Sequence, residues 1–286
     1  MVGVSIPVGT RLDTLEAELQ YAVADGYDAA ELNLLSCPLI AGGKLVEPVA
    51  AYLGEVLAKY PLRYTAHAGY GMNLRDLQDQ QLQREVLFSS IDACAQLDLG
   101  PLNIHYEEYS SNRREEQAFL TNLRAACDYG QLREVAVNVE NLEVEDVRYV
   151  LDAIHTLNHP NCGMTVDLGH LYLSARHFGY DFMTAMRDCA PLARHIHIND
   201  NFGVFEPLRL ENHLLYDTMD PEFRIAYSRG DIHLPPFWGS VPMGECFAVL
   251  KQAGYGGVWM CEYRSALFRP LNRQIQERVR REIEQA

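Results

Sequence analysis

Basic residues are scarce in this sequence. Its 286 residues include 24 lysines and arginines against 39 aspartates and glutamates, a formal net charge of −15 with histidine neutral. Proteins bind nucleic acid and anionic membrane surfaces through lysine and arginine contacts with phosphate. The composition therefore argues against a general binder of nucleic acid or membranes, and less strongly against a local basic groove.

Long apolar runs and paired cysteines are also missing. The chain has no apolar stretch of about 18 residues, the length that suggests a membrane span, and it does not begin with a basic-then-apolar leader. The seven cysteines are scattered without C-x-x-C spacing, which fits reduced thiols better than a disulfide framework or a zinc knuckle. We therefore expect a cytoplasmic protein without membrane contact.

Short apolar runs indicate the fold. With 48% hydrophobic and 22% charged residues, the chain can bury a large core. Apolar, β-branched runs alternate with segments of helical period, which is typical of a parallel sheet covered by helices. The predicted strands begin at Val2, Asp28, Leu62, Pro101, Glu134, Gly163, His195 and Gly257.

Eight strands are the number that closes a barrel, and the chain length is usual for one (β/α)8 barrel. A doubly wound open sheet is the alternative, but its first turn is normally rich in glycine, and "IPVGTRLD" is not. We predict a single α/β domain over residues 1–286, a (β/α)8 TIM barrel. The predicted seventh and eighth strands start unusually far apart, which leaves a lid-like insertion at about residues 202–236 and an outer amphipathic helix at about 271–286.

The stretch "RHIHIND" has two histidines on one face of a predicted strand, because alternation sends His195 and His197 to the same side. A packed apolar core has little use for two such groups. Ionisable residues also stand near the ends of most other predicted strands. The carboxylates of Glu140, Asp167 and Glu262 would converge across the barrel mouth, at a cost of several kcal/mol unless cations or protons neutralise them. A divalent metal bound by carboxylates and imidazole would neutralise these carboxylates. His197 would then be a ligand, and His195 a partner beneath it.

Seven short motifs carry a resemblance to a known family. In chain order they are "HAGYGMNL", "LNIH", "VNVEN", "TVDLGH", "HIHIND", "GDIHLPPFWG" and "MCEYR". With this order and spacing, the chain resembles the xylose-isomerase-like TIM-barrel superfamily over nearly its whole length. That superfamily contains sugar and sugar-phosphate isomerases and epimerases together with endonuclease IV.

The isomerase branch implies one site. By this resemblance, Glu140, Asp167, His197 and Glu262 hold one divalent ion, Zn, Mn or Mg, which grips two adjacent oxygens of a hydroxy-ketone and stabilises the enediolate. Glu140 and Glu262 would act as acid and base, and His170 would touch a substrate hydroxyl. A carboxylate next to a metal-polarised carbonyl compound is suited to such proton transfer.

Endonuclease IV implies a larger site of three metals. Its nine ligand positions are all filled here, by His67, His105, Glu140, Asp167, His170, His197, Asp231, His233 and Glu262. The sequence thus leaves open a metal-dependent isomerase or epimerase, a multinuclear phosphodiesterase, a lyase or dehydratase, and a non-catalytic accessory barrel. One to three metals per chain fit these readings.

Further residues are candidates for substrate contact. Arg229, with Arg209 and Arg224, either clamps a phosphate or carboxylate or solvates the insertion. Phe237 and Trp238 either wall the substrate or pack the lid, and Glu31 either reaches the substrate or forms an ion pair. The remaining candidates are Tyr70 and Arg264. We expect a carbohydrate-like small molecule as substrate, no nucleic-acid partner, and a homodimer or homotetramer.

Overall fold

Eight parallel strands close into a barrel in the computed structural model, which describes residues 1–69 and 71–286. Each strand pairs with its neighbour in the chain, and the first pairs with the last. The strands are β1 (Val2–Ser5), β2 (Ala29–Asn33), β3 (Arg63–His67), β4 (Leu102–His105), β5 (Val137–Glu140), β6 (Cys162–Asp167), β7 (Ala193–Ile198) and β8 (Trp259–Cys261). The predicted fold class is confirmed.

Helices surround this barrel. The longer ones are α1 (Leu12–Ala24), α2 (Glu47–Leu57), α3 (Gln80–Leu97), α4 (Arg113–Leu132), α5 (Val147–Leu157), α6 (Leu168–Phe178) and α7 (Phe182–Cys189). A short antiparallel hairpin joins Ile40–Ala41 to Lys44–Leu45. No helix among the described residues is long and apolar enough to cross a membrane.

The main hydrophobic core lies between the strands and the helices. Outward-facing strand residues such as Val139, Val166 and Ile196 are buried there. The inward-facing residues alternate with them and are mostly polar from the middle of the barrel upward, whereas Ala29, Val258 and Met260 form a small separate apolar cluster. The polar and ionisable residues of the barrel interior are therefore concentrated towards one end of the barrel.

Most predicted strand boundaries differ from the observed ones by one to three residues, and two of these differences have a clear local cause. The sixth strand ends at Asp167 instead of continuing to His170, because the Asp167 carboxylate accepts the backbone N–H of His170 and caps α6. His170 accordingly lies in the first turn of a helix. The fifth strand begins three residues after Glu134, which adopts a left-handed turn conformation (φ 60°) behind α4.

The long connection between β7 and β8 contains three short helices, α8 (Leu208–Glu211), α9 (His213–Asp217) and α10 (Pro221–Ala226), before α11 (Met243–Gln252). Several backbone contacts hold its return path, among them the hydrogen bonds of 3.0 and 2.9 Å that Asp200 and Leu234 exchange. The chain ends in α12 (Asn272–Gln285), close to the predicted outer helix.

Candidate metal centre

Four ligand-type side chains meet at the carboxyl end of the barrel. Glu140, Asp167, His197 and Glu262 each offer one atom, and these atoms lie within 4.8 Å of one another. His197 is central: its Nδ1 lies 3.1 Å from Glu140 Oε1, 3.1 Å from Glu262 Oε2 and 4.0 Å from Asp167 Oδ2. All four come from the ends of β5 to β8, as the strand alternation predicts.

Asparagine amides hold Asp167 in this position. Asn199 donates its Nδ2 to Asp167 Oδ2 over 2.6 Å, and Asn141 binds the backbone N and O of Asp167 over 3.0 Å each. Residue 169 must be glycine, because a Cβ there would overlap the Asn199 side chain. The sequence reasoning missed both asparagines, although each follows a strand end and an amide at that point is a usable signal.

A second group of potential ligands adjoins the first. His67 Nε2 lies 3.1 Å from Glu140 Oε2 and 3.1 Å from His105 Nε2. Two ring nitrogens that face each other cannot both carry a proton at this distance, so at most one donates to the other. Together with Glu140, these two histidines form a group that is compatible with a further metal ion.

The third group contains His170, Asp231 and His233. Asp231 Oδ2 lies 2.8 Å from His233 Nε2 and 3.4 Å from His170 Nε2, and Asp231 Oδ1 is buried without a hydrogen-bond partner. His233 Nδ1 contacts the backbone carbonyl of Glu262, which ties this loop to the first group. All nine ligand positions expected from the sequence thus lie in three adjoining groups.

Burial and charge compete throughout the centre. Burial raises the pKa of Asp167 to about 7; the carboxylates of Glu262 and Glu140 add to the increase and His170 opposes it. Burial also works against ionisation of Glu140, yet the neighbouring His197 and His67 hold the pKa of Glu140 well below its usual value. Burial lowers the pKa of His197, but the carboxylates around it raise that pKa well above the ordinary value.

These residues fit a divalent cation. Within the described part of the chain, no lysine or arginine forms an ion pair with Glu140, Asp167 or Glu262, so only imidazoles balance the three converging carboxylates. Among the described residues, Glu262 Oε2 is buried and has the ion-pair contact with His197 but no hydrogen-bond partner. Three carboxylates and one imidazole form a donor set suited to Zn²⁺, Mn²⁺ or Mg²⁺.

His195 and Glu31 lie deeper in the barrel. His195 Nε2 is 3.1 Å from Glu31 Oε2, and His197 Nε2 is 2.8 Å from Glu31 Oε1. Glu31 therefore contacts two histidines inside the barrel rather than lying at the mouth surface. The stretch "HIHIND" supplies one histidine to the metal group and one to the layer beneath it.

The arginine and aromatic candidates have other partners. Arg229 contacts Glu206 over 3.4 Å, and Arg209 contacts Glu143 over 2.8 Å. Arg224, which is buried, donates to the Asp231 carbonyl. These contacts are compatible with a structural role for each arginine, and substrate contact by Arg229 stays a prediction.

Phe237 packs against the Phe247 ring and beneath the Arg278 guanidinium, in the helical layer. Trp238 is partly exposed and contacts Phe268. The backbone of Arg264 donates to the His233 carbonyl, beside the third ligand group. Tyr70 lies outside the described residues. Substrate contact by any of these side chains stays a prediction.

Comparison with known proteins agrees with this geometry. The model of the xylose isomerase-like TIM barrel family matches residues 19–284. A comparison with curated protein sequences finds no significant match. Among solved structures, a D-tagatose 3-epimerase-like protein superposes with a TM-score of 0.73 at 17% identity, over 99% of this chain and 98% of that one.

Two further solved structures are similar to the chain. D-allulose 3-epimerase from Methylomonas sp. has a TM-score of 0.71 at 14% identity, over 98% of this chain and 97% of that one. D-psicose 3-epimerase with D-tagatose from Clostridium cellulolyticum H10 has a TM-score of 0.71 at 12% identity, over 98% of each chain. At these identities the likeness shows the fold. Because the family model spans nearly the whole sequence, the chain belongs to the xylose isomerase-like TIM barrel family.

Proposed function

We propose that the protein is a divalent-metal-dependent isomerase or epimerase of a sugar or related hydroxy-ketone. One observation carries the proposal: two carboxylates, Glu140 and Glu262, flank the same imidazole nitrogen of His197 at 3.1 Å, with Asp167 in the same group. Glu140, Asp167, His197 and Glu262 would hold the ion. When bound, the ion supplies Lewis acidity that makes a C–H bond next to a carbonyl more acidic.

The two glutamates are suited to moving the proton. Although burial opposes it, nearby His197 lowers the pKa of both carboxyls, so each is ionised at neutral pH and can accept a proton. Glu140 is almost completely enclosed, whereas the Glu262 side chain keeps 19% of its surface exposed at the mouth. We assign removal of the proton to one glutamate and its return on the opposite side of the carbon to the other.

The nature of the substrate follows from charge. Arg209 and Arg229 already contact Glu143 and Glu206, and the negative charges of these glutamates reduce the attraction of both arginines for a phosphate. The solved relatives named above are epimerases of uncharged ketoses. We therefore favour a neutral ketose over a ketose phosphate, with His170 near its hydroxyls and residues 202–236 covering it.

Solvent exchange tests this proposal without knowledge of the product. The protein, loaded with Mn²⁺, Zn²⁺ or Mg²⁺, is incubated in D2O with D-tagatose, D-allulose, D-fructose and a ketohexose phosphate. We expect deuterium to enter a carbon next to the carbonyl of a neutral ketose, detected by NMR. Exchange at C3 indicates epimerisation and exchange at C1 indicates isomerisation. No exchange with any ketose would contradict the proposal.

A multinuclear phosphodiesterase is the second candidate. The observation in its favour is that the nine residues form three adjoining groups, each with ligand atoms within 4.8 Å. Such a cluster is suited to activating water for attack on phosphorus. Elemental analysis of protein purified without added metal or chelator distinguishes the two. A ratio near one per chain favours the isomerase, whereas two or three with cleavage of bis(p-nitrophenyl) phosphate favours the hydrolase.

A further inference from the structure

A buried polar layer lies directly beneath the metal group. It contains Glu31 of β2, Thr65 of β3, Asn103 of β4, Thr165 of β6 and His195 of β7, five residues that are all at most 1% exposed. Glu31 meets Asn103 and His195 across the barrel, on strands that are not neighbours in the sheet. These contacts are possible only through the barrel interior, where bulky apolar residues are the usual filling.

Glu31 is the only carboxylate of this layer, among the residues just named, and its two oxygens face different partners. Oε2 accepts hydrogen bonds from Thr65 Oγ1 over 2.8 Å and from Asn103 Nδ2 over 2.6 Å. Oε1 lies 2.8 Å from His197 Nε2, an ion-pair distance, although among the described residues neither atom has an aligned hydrogen bond. An amide oxygen would accept the hydrogen bonds from Thr65 and Asn103 equally well. The negative charge of Glu31 therefore matters for its contact with the His197 imidazole.

The two nitrogens of His197 also face different partners. Nδ1 points to Glu140 and Glu262 at 3.1 Å, and Nε2 points to Glu31. A histidine binds a metal through its unprotonated nitrogen. The other nitrogen then carries the proton and donates a hydrogen bond to a second group, often a carboxylate. Glu31 stands at that second position, on the side of His197 away from the mouth.

We infer that Glu31 is a positioning residue for the metal centre. When an ion is held at Nδ1, the Glu31 carboxylate accepts a hydrogen bond from the Nε2–H of His197, keeps Nδ1 free of a proton and fixes the plane of the ring. Thr65, Asn103 and His195 hold the carboxylate in place through its other oxygen. The inference rests on the metal site of the proposed function, and it does not depend on which substrate the site takes.

The test measures metal binding alone. Metal-free Glu31→Gln and wild-type protein are titrated with Mn²⁺ and with Co²⁺ against a chromophoric chelator, and the visible absorption of bound Co²⁺ is recorded. We expect the variant to bind either ion about 10- to 100-fold more weakly, the range for removing an outer partner of a ligand. We also expect an altered Co²⁺ spectrum, which a loss of stability alone would not produce.

Thr165→Val is the matched control. Thr165 belongs to the same buried layer and donates to Asn103 Oδ1, and among the described residues it makes no hydrogen bond or ion pair with Glu31 or His197. This variant tests whether any disturbance of the layer weakens the site. Its metal affinity should stay within about twofold of wild type, even if its thermal midpoint falls.

Each outcome decides the inference. Wild-type affinity and spectrum in folded Glu31→Gln would overturn it, as would an equal loss of affinity in Thr165→Val. If Glu31→Gln does not fold, Glu31→Asp decides: it keeps the charge but withdraws it from His197, and unchanged affinity there would also overturn the inference. If wild-type protein binds neither ion, the proposed function fails as well, which is a separate result from a bound metal that ignores Glu31.

Discussion

The barrel mouth and the insertion between β7 and β8 are both rich in ionisable side chains, but they are balanced differently. In the insertion, Arg209 and Arg229 are each paired with a glutamate, Glu143 and Glu206. At the mouth, among the described residues, the carboxylates of Glu140, Asp167 and Glu262 have histidines but no lysine or arginine as counter-charges. The folded chain itself thus balances the charges of Arg209 and Arg229, whereas the carboxylates at the mouth also need protons or a cation.

Removing one carboxylate from the mouth is expected to have the largest effect. Glu262→Gln keeps the shape of the side chain but removes a proton acceptor and a metal ligand. We expect turnover of the responsive ketose to fall by at least about 10³-fold, since general-base catalysis alone contributes about 10²–10⁴-fold. The measurement is the rate of deuterium exchange at saturating metal, with circular dichroism to verify the fold.

The matched control removes a carboxylate from the insertion. Glu206→Gln deletes the partner of Arg229 over 3.4 Å and should leave the exchange rate within about twofold, because the contact is long and the Arg229 side chain is about half exposed. Full activity in Glu262→Gln, or an equal loss of exchange rate in the two variants, would mean that carboxylates at the mouth are no more important for catalysis than those in the insertion.

Neutralising Asp167 should weaken metal binding without harming the metal-free fold. Asn at this position can still cap α6, because both residue types serve as N-caps. We expect metal affinity to fall by at least about 100-fold, more than for an outer partner, while the metal-free variant stays as stable as wild type. Calorimetric titration and thermal unfolding with chelator check the two halves. A large loss of stability without metal would show that Asp167 is mainly a structural residue.

The metal-free protein should lose stability as pH rises above neutral. Burial lowers the pKa of His233, but Asp231 raises it from 6.5 to about 9 in the folded protein. A proton held more tightly in the folded state stabilises it fully below pH 6.5, and this contribution is lost as pH rises through about 9. The pKa of Asp167, which burial raises from 3.8 to about 7, has an effect of the same sign at lower pH: its contribution is full below pH 3.8 and is lost as pH rises through about 7.

Thermal midpoints in chelator should therefore fall by several degrees between about pH 6.5 and 9.5, since about 1 kcal/mol moves the midpoint of a domain this large by roughly 2–4 °C. The metal-loaded protein should change less over the same interval, because the cation replaces the protons. Parallel pH profiles with and without metal would mean that titration elsewhere in the molecule controls stability.

The barrel and the convergence of ionisable side chains at its mouth could be predicted from the sequence for one physical reason. Alternation in a strand is a local property, so His197 and Glu140 could be assigned to the interior without knowledge of the fold. Contacts across the barrel are not local: the pairing of Glu31 with Asn103 depends on which strands oppose each other. For the same reason, the hydrogen bond from Asn199 to Asp167 could not be predicted, because it depends on β6 and β7 lying side by side.

The smallest effect is expected at Arg229, where the insertion meets the question of substrate charge. Its guanidinium is about half exposed and contacts Glu206 over 3.4 Å, a geometry that contributes little to stability. Arg229→Gln should change the free energy of unfolding by less than about 0.5 kcal/mol and leave KM for a neutral ketose within about threefold. A KM raised about tenfold or more, which corresponds to about 1.4 kcal/mol, would instead identify Arg229 as a substrate clamp. The insertion would then resemble the mouth, with its charge reserved for a ligand, and the phosphorylated ketoses would become the first substrates to test.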